Sequence, residues 1–229
     1  MTLEYQTKLF GLNQYFKEFS NLYLSNRLPN KIILSGKKGI GKSTLALHLI
    51  NFIFSKNEKL SYDINSNSIN INNKSYMLVQ NYTHPNLFYI NKLSDKKQIE
   101  ISQIRNLSNF VNTSSFNNSL KIILIDDSEL LTINASNSLL KLVEEPNINV
   151  QFIIIHDNSK FILDTLKSRC INFKINLKNI HIDKIVNNYF GRDVYNSLPN
   201  YIKNKYLTPS KFIDLINFCI ENKIDLQKE

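Results

Sequence analysis

The stretch ILSGKKGIGKSTLA, residues 33 to 46, limits the fold more than any other part of the chain. The 229 residues include 5 glycines, and three of them, Gly36, Gly39 and Gly41, fall within six consecutive positions. A chain so sparing of glycine keeps it where a side chain would clash or where the backbone takes a positive φ. Before the loop, KIILSG is a short apolar run. After it, KSTLALHLINFIF places Leu45, Leu49, Phe52 and Ile53 at helical spacing. Strand, loop and amphipathic helix are therefore predicted in that order.

This is the context in which loop amides and a helix N-terminus converge on phosphate. The pattern G-x-x-x-x-G-K-[ST] is complete. Backbone amides from Gly39 to Ser43 would cradle the phosphates, Lys42 would reach the β and γ groups, and Ser43 would hold Mg²⁺. The candidate nucleotide set is Gly36, Gly39, Gly41, Lys42, Ser43 and Thr44. The alternative is a glycine turn that merely opens a helix.

Further along, strand-like and helix-like segments alternate. Residues 55 to about 80 are polar and low in complexity, with NSNSININNK at their centre, and read as a surface insertion. HPNLFYI supplies a strand over Leu87 to Ile90, and ISQIRNLSNFV has Ile101, Ile104 and Leu107 at helical spacing. LKIILIDD is an apolar run ending on two carboxylates. ELLTINASNSLLKLVEEP reads as a helix with Leu131, Ala135, Leu139 and Leu142 on one face, stopped by Pro146. VQFIIIHD and CINFKI are further strands. Continuous apolar strands alternating with helices indicate an α/β fold with a parallel sheet covered on both faces. From about residue 177 the strand signal fades, and a small all-helical domain is expected.

A phosphate loop needs a second carboxylate on a neighbouring strand, because Mg²⁺ takes oxygen ligands. Asp126 suits that role. Asp127 either polarises the attacking water, one methylene shorter than a glutamate, or caps the next helix.

The run NASNSLLKLVEEP after IILIDDSELL resembles the A-x-N-A-L-L-K-x-L-E-E-P signature of bacterial clamp-loader AAA+ subunits, and DTLKSRC, residues 164 to 170, resembles their T-I-x-S-R-C motif. LFGLNQYFKEF, NRLPNKIILSGKKGIGKSTLA and HPNLFYI resemble the delta-prime type of DNA polymerase III in order and spacing. The resemblance covers residues 9 to 176. It implies a P-loop AAA+ module over 1–176, a helical lid over 177–229, and ATP with Mg²⁺ as cofactors. It also implies a place in an assembly that loads a sliding clamp onto primed DNA, beside gamma/tau-like and delta-like subunits. Arg169 would act in trans as an arginine finger on a neighbour's ATP, or pair with a local carboxylate such as Asp164. The sensor position falls at His156 to Asn158, where Asp157 or Asn158 would orient water near the γ-phosphate. Arg105 would face DNA phosphate, or be an ordinary solvated arginine. In TPSKFIDLI, Ser210 or Lys211 stands where a second sensor would be, and neither is arginine.

Two departures from that family carry expectations of their own. An asparagine-rich insertion replaces a four-cysteine module, so no zinc is expected, and a C-terminal collar is expected to be absent. The formal charge of +9 fits nucleic-acid binding, and equally an AT-rich coding sequence that favours Asn, Lys, Ile, Phe and Tyr. Cys170 and Cys219 form no C-x-x-C pair, the apolar runs are too short for a bilayer, and the N-terminus lacks a signal-peptide core. A cytoplasmic protein without membrane partners is expected.

Overall fold

The computed structural model of the chain describes residues 6–113, 115–116, 119–145, 149–196, 198–205 and 207–224. Five parallel strands form one sheet: β1 (Lys31–Gly36), β2 (Leu87–Ile90), β3 (Lys121–Ile125), β4 (Val150–Asp157) and β5 (Ile171–Lys174), in spatial order β2-β3-β4-β1-β5. The fold is the expected α/β P-loop module. All eight residues of β4 and all five of β3 are buried, as a strand with both faces covered requires.

Successive strand residues feed two different cores. Ile32, Leu34, Ile122, Leu124, Ile153 and Ile155 pack on one face with α1 (Asn13–Leu24) and α2 (Lys42–Phe54). Ile33, Ile123, Ile125, Phe152 and Ile154 pack on the other, against α4 (Ile101–Asn112) and α5 (Ile133–Glu144). The period-two geometry of a strand imposes this division. Each such side chain taken out of water contributes roughly 1.5–3 kcal/mol. The register then sets the functional edge: Gly36 pairs with Asp157 and Ile125 with Ile154, so the carboxyl ends of β1, β3 and β4 lie side by side.

Three local readings are corrected. The polar segment after α2 is more than a surface insertion. Tyr62, Ile69, Tyr76 and Val79 join the first core, and Lys74–Gln80 forms a helix, α3, capped by the buried Asn73. Asn73 Oδ1 accepts from the Tyr76 amide at 2.7 Å and from Asn51 Nδ2 at 3.2 Å. Because this cover sits on α2 opposite the sheet, every residue from Leu45 to Ile53 is buried, and α2 is not the amphipathic helix its spacing suggested. Lastly, α5 starts at Ile133, with Thr132 Oγ1 accepting from the Ala135 amide at 3.2 Å, so Leu131 lies outside it and bridges to Ile99 instead. The helix ends at Glu144; Pro146 lies outside the described residues.

After β5 the regular elements are helical. α7 (Ile182–Phe190), α8 (Asn200–Lys203) and α9 (Pro209–Glu221) enclose a third core of Ile182, Val186, Leu198, Ile202, Phe212 and Ile216. The short helix α6 (Asp164–Lys167) precedes β5. Among the described residues, no helix is long and apolar enough to cross a membrane.

Candidate nucleotide-binding site

The loop between β1 and α2 turns on two residues in left-handed backbone, Gly39 at φ +83° and Gly41 at φ +96°. Gly39 also lacks room for a side chain. A Cβ there would lie 2.6 Å from Ser210 Cβ and 2.7 Å from Thr208 Oγ1, at the start of α9. The Ser210 amide donates to the Gly39 carbonyl at 3.2 Å, so the helical segment rests directly on the loop.

A cavity of about 460 Å³ opens at this edge of the sheet. Gly39, Gly41, Lys42, Ser43, Thr44, Asp126 and Asp127 line it on one side, and Leu9, Phe10, Ile185, Tyr189 and Ile213 supply apolar wall. Gly36 ends β1 and is not among the described residues lining the cavity. Ser43 Oγ donates to Asp126 Oδ2 at 2.8 Å, and Tyr89 Oη approaches the same oxygen at 3.5 Å. Burial raises the pKa of Asp126 against the hydrogen bond from Ser43. Lys42 is 5% exposed, and its Nζ donates to the carbonyls of Gly36 at 2.7 Å and Lys37 at 2.8 Å. Burial lowers its pKa, and the carboxylates of Asp157, Glu129, Asp126 and Asp127 oppose that shift. A hydroxyl beside a carboxylate is an oxygen donor pair that fits Mg²⁺, and the ammonium among loop carbonyls fits a polyphosphate.

Asp127 is in left-handed backbone at φ 50°, at the entrance of the short turn Ser128–Leu130, and its side chain makes no cap hydrogen bond. The helix-capping alternative is thereby set aside. Its Oδ1 instead accepts from Lys38 Nζ at 2.9 Å. Asp157 is 8% exposed, and its Oδ1 accepts from the amide and hydroxyl of Ser159 at 3.0 and 2.9 Å. Two further site residues escaped the sequence reading. Glu129 Oε2 accepts from the Asp157 amide at 3.1 Å and lies 3.7 Å from His156 Nδ1, tying the Asp126 turn to the end of β4. Burial works to raise the pKa of Glu129, but the nearby His156 and hydrogen bonds from backbone amides outweigh it and hold the group at about 2. Lys38 is the other. Nothing in the local sequence marks either residue, because their partners lie 28 and 89 positions away.

Of the remaining candidates, Arg169 and Arg105 stand apart from the cavity. Arg169, between α6 and β5, is not among the described residues lining the cavity. Its Nε is 2.7 Å from Glu144 Oε1, and its Nη1 donates to the Thr165 carbonyl at 2.9 Å. The local carboxylate it meets is therefore Glu144, not Asp164. Arg105 is exposed on α4. Ser210 lines the cavity.

The sequence profile of the family described as "DNA polymerase III, delta subunit" matches residues 11–179. DNA polymerase III subunit delta' of Pseudomonas aeruginosa is 30% identical over 139 residues, which cover 61% of this chain and 40% of that protein. The delta' subunit of Buchnera aphidicola subsp. Baizongia pistaciae is 30% identical over 166 residues, covering 70% of this chain and 48% of that protein. The chain thus spans less than half the length of these two relatives. In solved structures, a DNA polymerase III gamma subunit-related protein of Thermotoga maritima shares the fold, with a TM-score of 0.53 at 18% identity over 93% of this chain and 62% of that one. With most of its length matched, the chain belongs to the DNA polymerase III delta subunit family, and is of its delta-prime type.

Proposed function

We propose that this subunit binds ATP at its own phosphate loop, lends Arg169 to the nucleotide of a neighbouring subunit, and so helps to load the sliding clamp onto primed DNA in the cytoplasm. What supports the reading best is the pairing of Ser43 Oγ with Asp126 Oδ2 at 2.8 Å beside the buried Lys42. Lys42 and the amides of Gly39 to Thr44 hold the phosphates, while Ser43 and Asp126 hold the cation. Bound Mg²⁺ supplies charge neutralisation at the phosphates. Asp127 orients the attacking water, and Asp157, at the end of β4, stands at the sensor position and orients water near the γ-phosphate. Residues 1–176 act as the nucleotide-binding core and 177–229 as the lid, and Arg105 meets DNA phosphate without reading sequence.

Arg169 is suited to service in trans. It lies away from the chain's own cavity, and the Glu144 pair it must leave is exposed, with the two side chains 40% and 49% accessible. Such a pair is worth at most about 1 kcal/mol. The partners are gamma/tau-like and delta-like subunits, the clamp and the primed DNA. A second reading, a non-hydrolysing stator of the same complex, is favoured by one observation: the Asp127 carboxylate is already engaged by Lys38.

The test is a loader reconstituted with Arg169→Ala. Unchanged assembly with DNA-stimulated turnover lower by about a hundredfold is the expected outcome, the scale for removing one donor from a developing anion. Turnover equal to wild type would remove the finger from the proposal.

A further inference from the structure

Lys38 occupies one of the unspecified positions of the phosphate-loop pattern, yet it lines the same cavity as Lys42, Ser43, Asp126 and Asp127. The two ammonium groups differ in how they are held. Lys42 is buried, with its Nζ bonded to two loop carbonyls. Lys38 is 60% exposed along its side chain, and the hydrogen bond its Nζ makes goes to Asp127 Oδ1 at 2.9 Å. Partial burial works to lower the Lys38 pKa, but the hydrogen bond to Asp127 and the charges of Asp127, Glu129 and Asp126 raise it above the usual lysine value. The group is therefore a full positive charge on a flexible stem, lining a cavity that also holds Lys42, Asp126 and Asp127.

An exposed lysine–carboxylate pair is weak and easily exchanged. The terminal phosphate of a nucleoside triphosphate is a stronger competitor than Asp127, since it brings three acceptor oxygens and more than one negative charge. A diphosphate ends one phosphate earlier and places no such group at the γ position. Lys38 directly precedes Gly39, whose amide belongs to the cradle, so side-chain torsions alone can carry the ammonium from one acceptor to the other.

We propose that Lys38 is a specificity-determining residue that favours nucleoside triphosphate over diphosphate, its ammonium leaving Asp127 for the terminal phosphate. The inference rests on the nucleotide-site reading above. It assigns Lys38 a role distinct from that of Lys42: Lys42 serves both nucleotides, and Lys38 distinguishes them.

The experiment is isothermal titration of the full chain, in Mg²⁺, with ADP and with the non-hydrolysable imido analogue of ATP. For Lys38→Ala the ratio of triphosphate to diphosphate affinity should fall about tenfold with ADP affinity unchanged, one charge-assisted hydrogen bond being lost. Lys38→Arg should recover most of the ratio. In protein labelled at lysine side chains, the Lys38 resonance should shift with the imido analogue and stay in place with ADP. Equal losses for both nucleotides, an unchanged ratio, or a resonance that ignores the triphosphate would each overturn the proposal. Lys42→Ala separates the two levels. If it binds both nucleotides as wild type does, the nucleotide-site reading itself fails; if it loses both while Lys38→Ala keeps the wild-type ratio, only the role of Lys38 fails. A wild-type chain that binds neither nucleotide would overturn both.

Discussion

Replacing His48 by leucine should change how the stability of this protein depends on pH, and the structure gives the size of the effect. His48 is fully buried in α2. Its Nε2 lies 2.8 Å from the Gln6 carbonyl, which can only accept, so Nε2 carries the proton and Nδ1 accepts from Tyr62 Oη at 2.8 Å. Burial, opposed by the bond to Gln6, lowers the His48 pKa to about 4. In the unfolded chain the value returns to about 6.5. The folded pKa is the lower one, so the neutral imidazole's contribution is complete above about pH 6.5 and is lost as pH falls towards 4. Linkage then gives a loss of about 2.5 kcal/mol between pH 7.5 and 4.5. His48→Leu cannot titrate, and it leaves the Gln6 carbonyl and the Tyr62 hydroxyl without their partner, at a cost of about 1–3 kcal/mol at neutral pH. Urea denaturation of both proteins across this range should show the wild-type advantage at pH 7.5 shrinking by about 2.5 kcal/mol at pH 4.5. The depressed His84, also at about 4, acts equally in both proteins and cancels in the difference. Parallel stability curves would refute the reasoning.

Gly39→Ala must hold a left-handed φ of +83° and push aside Thr208 Oγ1 and Ser210 Cβ. The backbone part costs about 1–2 kcal/mol, and the first-turn amides of α9 should exchange hydrogen faster; wild-type protection there would count against the loop contact. Glu129→Leu removes the acceptor of the Asp157 amide and the partner of His156. A loss of about 1–3 kcal/mol is expected, with a Tm lower by about 2–4 °C per kcal/mol. Glu129→Gln, which keeps an acceptor oxygen, should lose less, and equal losses in the two variants would deny the carboxylate this bridging role.

The sheet was legible because its strands are uninterrupted, isoleucine-rich apolar runs such as IILI and FIII, which neither a loop nor an exposed helix would carry. The phosphate loop was legible because its glycines and Lys42 are contiguous. The cover over α2 was not: Tyr62 and Ile69 stand singly among asparagine, serine and aspartate, and the apolar run from Tyr76 to Val79 is only four residues long. Their burial depends on where α2 presents His48 and Asn51, which no local period reveals. The start of α5 was misplaced for a related reason. Leu131 is apolar and in phase with the helix, but Thr132 can accept a hydrogen bond from the third amide after it, and the cap decides the boundary. In the site, the order of the strands brings Lys38 to Asp127 and Glu129 to Asp157, pairs that only the sheet register makes neighbours.

The most direct test of a working nucleotide site is equilibrium binding of ATP, in Mg²⁺, to the wild-type chain and to Lys42→Ala. Saturable binding by wild type and a loss of at least about tenfold in the variant is the expected result, since Lys42 Nζ would exchange two carbonyls for phosphate oxygens. Equal affinity in the two proteins, or no binding by wild type, would contradict it.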